Sequence, residues 1–325
     1  MAKPRPEGPP LFDRSVLIVS GKGGVGKTTV ASACALAAGR KRRRVVLAEI
    51  EGRGGLSRLL GIPPPGFEER RTPFGHAALS ITAKDALLEY LWLFFRMKAL
   101  SRSLQRAKVV DVAAEAIPGF RDVMVAGKLY ELTTYRSGPG ASHGRSPYDL
   151  VVVDAPPTGQ FLSFLESAGG YGDLIKSGRV NRQLVSIDRL LRKDTRIVLV
   201  AIAEEMSVAE TVETVDALRE AGFPEPTIVV NQLVPSPFPR GTRAAGMRLE
   251  QPDVVRLLRE AGAEADEDDA GELLQTIRDV DARHREEQRH VARLEKVAPV
   301  IELPFLFTPS FGPAEVRALS EGLAA

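Results

Sequence analysis

The chain has 325 residues, with a single cysteine, Cys34, and four histidines. One cysteine excludes a disulfide within the chain and any zinc, arsenite or iron–sulfur site built from several cysteines of one chain, and it fits a reducing cytosol. Cys34 itself, in an apolar helical stretch, is expected to be a small core residue. His76, His143, His284 and His290 show no metal-ligand spacing, so surface roles are expected for them. Net charge is also scarce: 44 Lys and Arg stand against 42 Asp and Glu, a balance of +2. No global field therefore favours nucleic acid or an anionic membrane. Long apolar runs are missing too. The most apolar stretch, Leu87–Phe95, is broken by Glu89 and is far short of the roughly 20 residues that cross a bilayer. The Pro- and charge-rich start, residues 1–12, contains no apolar signal core and reads as a disordered lead-in. These absences predict a soluble, cytoplasmic protein. A content of 44% hydrophobic and 26% charged residues is ample for a globular core.

Short runs of Val, Ile and Leu alternate with helical patterns, which predicts βαβ units around a mainly parallel, doubly wound sheet of the α/β class. Strands are expected at Ser15–Ser20, Arg44–Ile50, Tyr148–Asp154, Arg196–Ile202, Pro226–Val230 and Val300–Leu303. Between the second and third lie residues 62–147, too many for one crossover helix, so an insertion is implied. Within it an extra strand is expected at Leu79–Thr82, and helices at Lys84–Leu100, Leu104–Ala116 and Phe120–Tyr135, with a surface loop at Ser137–Ser146. A further helical piece spans Phe161–Arg192. The expected organisation is a core of residues 13–61, 148–160 and 193–325, with a helical subdomain made of 62–147 and 161–192.

Directly after the first strand comes Gly21-Lys22-Gly23-Gly24-Val25-Gly26-Lys27-Thr28-Thr29, opening a helix. Its spacing is that of the glycine-rich phosphate loop, G-x-x-x-x-G-K-[ST]. Glycines let backbone amides turn inward on phosphate oxygens, and the helix amino terminus adds positive potential. Lys27 is placed to reach the β- and γ-phosphates, and the Thr28 hydroxyl to ligate Mg²⁺. The segment therefore points to a nucleotide, ATP, with Mg²⁺. The second strand ends in Glu49 and Glu51, two carboxylates at i and i+2 beside that loop, either for metal-bound waters and the attacking water or simply as a polar strand end. The third strand ends in Asp154, where a carboxylate is oriented towards the metal's water shell; Glu49 and Asp154 are expected to act through water. The following Pro156-Pro157-Thr158-Gly159 reads as a turn that moves when the γ-phosphate leaves.

These motifs resemble the deviant phosphate-loop ATPases that include ParA, MinD, the nitrogenase iron protein, the arsenite-pump ATPase ArsA and the tail-anchored-protein targeting ATPase. Lys22 resembles the second lysine of that class, which reaches across a dimer interface to the partner's nucleotide, much as an arginine finger does in trans. Val151–Gln160 resembles the second switch of the ArsA/targeting branch, with Gln160 where that branch has His and with a Pro-Thr-Gly run that ParA and MinD lack. In the same branch an Asp-Pro-Ala-His switch aligns its Asp with Glu51, so the departure to Glu51-Gly52-Arg53-Gly54 bears on hydrolysis. Asn231 and Gln232 resemble the adenine-reading tip of the branch, although Asn231 also suits a simple turn. Pro304 and Phe305 match the loop closing over the base. Ala203–Thr211 is similar to a further branch segment, and in its own right it reads as a capping box with Ser207 capping and Glu210 reaching back. Ile81–Tyr90, Ile117–Gly119 and Lys128–Leu132 resemble the branch's helical subdomain.

The resemblance implies an ATP-hydrolysing dimer, homodimeric or with a paralogue. Lys22, Lys27, Glu51 and Asp154 would be its catalytic residues, and a hydrophobic helix of the tail-anchored kind its client. Leu87, Leu88, Leu91, Trp92, Leu93, Phe94, Phe95 and Met97 make a helix apolar around much of its circumference. It could be core, a client groove or an oligomer interface. The Cys-x-x-Cys of eukaryotic targeting ATPases is missing, so neither zinc nor arsenite is expected. The rival reading is a ParA-like switch acting on DNA or a partner protein through Arg40-Lys41-Arg42-Arg43-Arg44. That run equally suits the carboxyl end of a helix dipole. Glu264–Asp269 is expected to be a solvated loop before a long polar helix ending near Lys296, and Pro313–Ala325 lacks the basic amphipathic pattern of a membrane-seated helix.

Overall fold

The computed structural model describes residues 10–52, 54–95, 119–134, 146–175 and 177–324. Its centre is an eight-stranded sheet made of β1 (Val16–Gly21), β2 (Val45–Ile50), β3 (Arg70–Arg71), β4 (Ala77–Ile81), β5 (Leu150–Asp154), β6 (Thr195–Ile202), β7 (Thr227–Leu233) and β8 (Val300–Pro304). The order across the sheet is β3-β4-β2-β5-β1-β6-β7-β8. All neighbours are parallel except β3 and β4. Val16 and Ile18 of β1 pack into one face and Leu17 and Val19 into the other, all fully buried. Strands covered on both sides need apolar residues at every position, which is why the runs were continuous rather than alternating.

One face carries α1 (Lys27–Arg40), α2 (Gly55–Leu60) and α11 (Pro313–Gly322), whose Ala35, Leu56 and Val316 join the same apolar cluster as Leu17. The opposite face carries α3 (Ala83–Phe95), α4 (Phe120–Thr134), α5 (Thr158–Leu174), α6 (Gly178–Lys193), α7 (Glu205–Glu220) and the end of α10 (Glu267–Leu294). Leu129, Phe164, Leu191 and Val215 from these helices share one cluster with Ile18. Two smaller helices, α8 (Arg243–Gly246) and α9 (Gln251–Glu260), precede α10.

Several expectations shift. The extra strand is present as β4, but it pairs with β2 inside the sheet, so residues 77–81 belong to the sheet and not to the helical layer assigned to 62–147. Strand β3 was not expected, because two exposed arginines carry no apolar pattern. The piece at Phe161–Arg192 is two helices, and the first begins at Thr158, shortening the expected turn after Pro157. The acidic run is not wholly a loop. Asp266 caps α10 by accepting from the backbone N–H groups of Asp268 and Asp269, each at 3.0 Å, and Glu267–Asp269 form the first turn, where negative charge suits the helix dipole. His76 is buried rather than exposed, and neither ring nitrogen finds a hydrogen-bond partner among the described residues; burial pushes its pKa down to about 4. Cys34 is core as expected, and burial pushes its thiol up to about 12. The helix at Leu104–Ala116, Ile117-Pro118, Met97, His143, the lead-in before Pro10 and nearly all of the Ser137–Ser146 loop lie outside the described residues.

Four residues of the basic run at the end of α1 meet local partners. The Arg44 guanidinium donates to Asp149 at 2.7 and 3.1 Å and thereby holds that carboxyl down at about 2. Arg43 donates to the Asp149 carbonyl at 2.9 Å, Arg40 faces Glu321 at 3.4 Å, and Lys41 lies over the Phe12 ring.

Between α3 and α4, the ammonium of Lys128 is almost fully buried, 2.6 Å from Glu89 of α3 and 3.1 Å from Glu131 of its own helix, above the Phe67 ring. One cation cannot fully offset two carboxylates out of water. Burial and the neighbouring Glu131 accordingly raise Glu89 to about 7, although Lys128 pulls the other way. A carboxyl raised in the fold above its unfolded value of 4.5 binds more protons folded than unfolded, so its stabilisation is present below pH 4.5 and is lost as pH climbs to about 7. Glu89→Gln removes that titration. The melting temperature of the variant relative to the parent is expected to rise between pH 5 and pH 7.5, and a difference that stays flat across this window would show Glu89 to be charged throughout.

Candidate functional site

The carboxyl ends of β1, β2 and β5 converge where the strand order switches, with β5 and β6 on either side of β1. In open α/β sheets this crevice is where ligands bind. Gly21 ends β1 within the sheet at φ +149°, and a Cβ there would stand 2.2 Å from the Val200 carbonyl oxygen, so only glycine lets the chain leave the strand beside β6. The loop then turns through Gly24 at φ +88° and Gly26 at φ +92°, the latter being the left-handed residue before α1. Lys27 folds back over the loop and donates to the Lys22 carbonyl at 2.9 Å, closing a ring of backbone around the helix amino terminus. The α1 amides at that terminus and the Lys27 ammonium make the electropositive cradle that a polyphosphate requires.

The acidic side of the crevice sits opposite. The Thr28 hydroxyl donates to Asp154 Oδ2 at 2.7 Å, and Asp154 lies in register with Glu49 on the neighbouring strand. Glu49 is buried, and its carboxylate and the Thr28 methyl group both approach Gly55, which places Thr28, Glu49 and Asp154 around one spot. The set offers one hydroxyl and two carboxylates, oxygen ligands that suit a hard cation such as Mg²⁺ and no soft metal. Among the described residues no cluster of three or more His, Cys, Asp or Glu side chains could hold a metal by itself.

Glu51 lies just past β2 with a left-handed backbone, φ +53°, which costs a non-glycine residue about 1–2 kcal/mol. Its carboxylate accepts from the backbone N–H of Ala83 at 3.2 Å and faces the Arg121 guanidinium at 3.3 Å. The segment after β5 is pinned to β1: Ser20 donates its hydroxyl to the Pro156 carbonyl at 2.7 Å, and the Ala155 N–H donates to the Val19 carbonyl at 2.9 Å. Thr158 donates its hydroxyl to Glu210, and the Lys22 ammonium lies 3.5 Å from the other oxygen of the same carboxylate. Gln160 is exposed on the first turn of α5.

Asn231, on β7, is buried and donates its side-chain amide to the Val25 carbonyl at 3.0 Å, so it braces the phosphate loop in this structure. Gln232 follows with an exposed side chain and φ +62°. The Phe305 N–H donates to the Leu233 carbonyl at 2.8 Å, which ties the loop after β8 to the end of β7 and brings Pro304 and Phe305 near Asn231 and Gln232. Phe305 packs edge-on against the largely exposed Phe307.

Two functional neighbours escape a reading of the sequence. Glu210 was expected to close a capping box, but α7 begins earlier, with Glu204 at its cap; Ser207 instead accepts from the Ile202 N–H at 3.1 Å. That frees Glu210 for Lys22 and Thr158. Arg121 carries no motif, and its pairing with Glu51 exists only once α4 is packed against the end of β2.

A sheet of this order with a glycine phosphate loop after its central strand defines a phosphate-loop nucleotide-binding protein of the doubly wound α/β class. The chain belongs to the anion-transporting ATPase family, ArsA, whose pattern matches residues 14–194 and 174–241. It is similar to ATPase BagA of Mycobacterium tuberculosis, 33% identical over 321 residues, covering 94% of this chain and 92% of that one. It is also similar to ATPase GET3 of Lachancea thermotolerans, 26% identical over 272 residues, covering 67% of this chain and 72% of that one. The arsenical pump-driving ATPase of Escherichia coli is 23% identical over 247 residues, covering 68% of this chain and 40% of that one. The protein is thus an ATPase of this family.

Gly21→Ala is expected to force β1 and β6 apart at the mouth of the site, at a cost of about 1–3 kcal/mol. Differential scanning calorimetry should show a lower melting temperature, and a fluorescent ATP analogue should bind more weakly. Parental values for both would mean that the strand end yields without strain.

Proposed function

We propose that this ATPase is a nucleotide-switched dimer, of two copies or with a paralogue, whose helical layer binds an apolar client helix such as the anchor of a tail-anchored membrane protein. The observation that carries the hydrolytic part is the gathering of Thr28, Glu49 and Asp154 opposite the phosphate loop. In this reading the amides of Gly21–Thr29 and the Lys27 ammonium bind the β- and γ-phosphates. Thr28 would hold Mg²⁺, with Glu49 and Asp154 placed to act on it through water. When bound, the ion offsets charge on the phosphate oxygens. Asn231, Gln232, Pro304 and Phe305 form the adenine end of the site. Glu51 orients the attacking water. Lys22 leaves Glu210 and reaches the nucleotide of the partner protomer, so assembly exchanges one anion for another at the same ammonium.

Support for the client comes from the outer helical layer, where Ile175, Val180 and Val185 of the α5–α6 hairpin are exposed apolar side chains. The first half of α3 is less suited, since Ala83, Ala86 and Leu88 are buried in the core. Among the described residues no helix is long and apolar enough to cross a membrane. The DNA-binding alternative draws little from the basic run, since Arg40, Lys41, Arg43 and Arg44 engage Glu321, Phe12 and Asp149.

Glu51→Gln should bind ATP with parental affinity and hydrolyse it at least about 100-fold more slowly, the usual weight of a positioned base. Parental turnover in single-turnover assays would remove Glu51 from the mechanism. A labelled apolar helix of about 20 residues, titrated by fluorescence anisotropy with ATP, with ADP and without nucleotide, should bind saturably with an affinity that depends on the nucleotide. No binding in any state, from protein that hydrolyses ATP, would replace the client with a folded partner.

A further inference from the structure

The Glu51 carboxylate is engaged by the helical layer. Its two partners, the Ala83 N–H at 3.2 Å and the Arg121 guanidinium at 3.3 Å, belong to α3 and α4. Its own N–H donates to the Ile81 carbonyl at 2.9 Å. Ile81 ends β4 and Ala83 opens α3, and β4 lies beyond β2 from β5 and β1, where the phosphate loop starts. The carboxylate is therefore drawn towards the helical layer and away from the cradle, on a left-handed backbone that favours a different residue type.

Arg121 stands in the first turn of α4, where a cation opposes the helix dipole. Two acids face it there: burial raises the pKa of Asp122 in the same turn, Arg121 pulls it down and the Glu51 carboxylate pushes it up, and Arg121 meets Glu51 itself at 3.3 Å. Its charge therefore serves as the counter-charge that lets Glu51 lie beside Asp122. The two helices that hold Glu51 are also joined to each other, because Lys128 of α4 reaches Glu89 of α3 at 2.6 Å. Glu51 is thus the point at which a rigid pair of helices meets the end of a catalytic strand.

We infer that Arg121 is a positioning residue that parks Glu51 against the amino terminus of α3, so that Glu51 can turn to the nucleotide only when the α3–α4 pair moves relative to β2. The inference rests on the reading of Glu51 as the carboxylate that orients water. Hydrolysis and the docked position of α3–α4 then exclude one another by competition for a single carboxylate. A partner or client that shifts α3–α4 accelerates turnover without touching the phosphates.

The test compares Arg121→Ala, Arg121→Lys and Glu51→Gln in the full-length protein. Arg121 is 53% exposed, so its truncation leaves the fold intact. Arg121→Ala should raise kcat about two- to fivefold, the range that an exposed ion pair can restrain, with KM for ATP and the affinity for a fluorescent ATP analogue unchanged. Arg121→Lys should return kcat to near the parental value. Salt screens such a pair, so raising the ionic strength should speed the parent more than Arg121→Ala. Hydrogen exchange in the first turn of α3 should quicken in Arg121→Ala. Unchanged or lower kcat in Arg121→Ala, with nucleotide affinity intact and Glu51→Gln inactive, would overturn the parking while leaving Glu51 its role. Parental turnover by Glu51→Gln would instead remove the reading on which the inference stands.

Discussion

The hydrogen bond from the Thr28 hydroxyl to Asp154 is the joint on which the rest of the site depends. It fixes the start of α1 against the end of β5, and so fixes the phosphate loop between two parallel strands. Everything else follows from that distance. The strands must be buried on both faces to lie close enough, the exit of β1 must be glycine, and Glu49, in register with Asp154, must accept burial of its charge. A buried carboxylate is costly without compensation, and Asp154 finds part of it in the Thr28 hydroxyl, with the electropositive cradle beside it.

A second constraint concerns cations. The chain has nearly equal numbers of each sign, and many of the described arginines answer a nearby acid. Arg44 answers Asp149, Arg196 answers Asp13 at 2.8 Å, and Arg192 bonds Asp188 at 3.0 Å while stacking on Phe223. Lys22 and Arg121 differ from these in where they sit. Each pairs with an acid at the rim of the nucleotide crevice, one with Glu210 and the other with Glu51, and each pair joins an element of the catalytic sheet to a helix. Exposed pairs of this kind are weak. Weakness suits them to the switching proposed for both contacts.

The sheet was legible in the sequence because burial on both faces leaves strands with no polar positions, and Val16–Val19 or Val151–Val153 can be read in no other way. The phosphate loop was legible because few residue types tolerate its geometry. What could not be read is what depends on packing between distant segments. The two arginines of β3 enter the sheet only because β4 lies beside β2. Ser207 and Glu210 have the spacing of a cap, yet the helix starts at Glu205, and a local pattern then serves a tertiary contact. His76 looks like a surface residue by type and is buried by the hairpin of β3 and β4. Arg121 and Glu51, 70 positions apart, share no pattern at all.

The α9–α10 arm rests on a foundation of a different size from the sheet. Its outer part is joined by a cluster of only four buried side chains, Val254, Val255, Ala270 and Leu274, separate from the two clusters that flank the strands. The inner end of α10 is anchored in the main core through Val291 and Leu294. A helix of 28 residues is thus clamped at one end and lightly held at the other. Opening of its free end exposes little apolar surface, so that end belongs to the low-energy rungs of native-state unfolding. Fraying at that end costs neither of the two clusters that flank the strands any of its contacts, so the sheet and the arm answer to heat and denaturant separately.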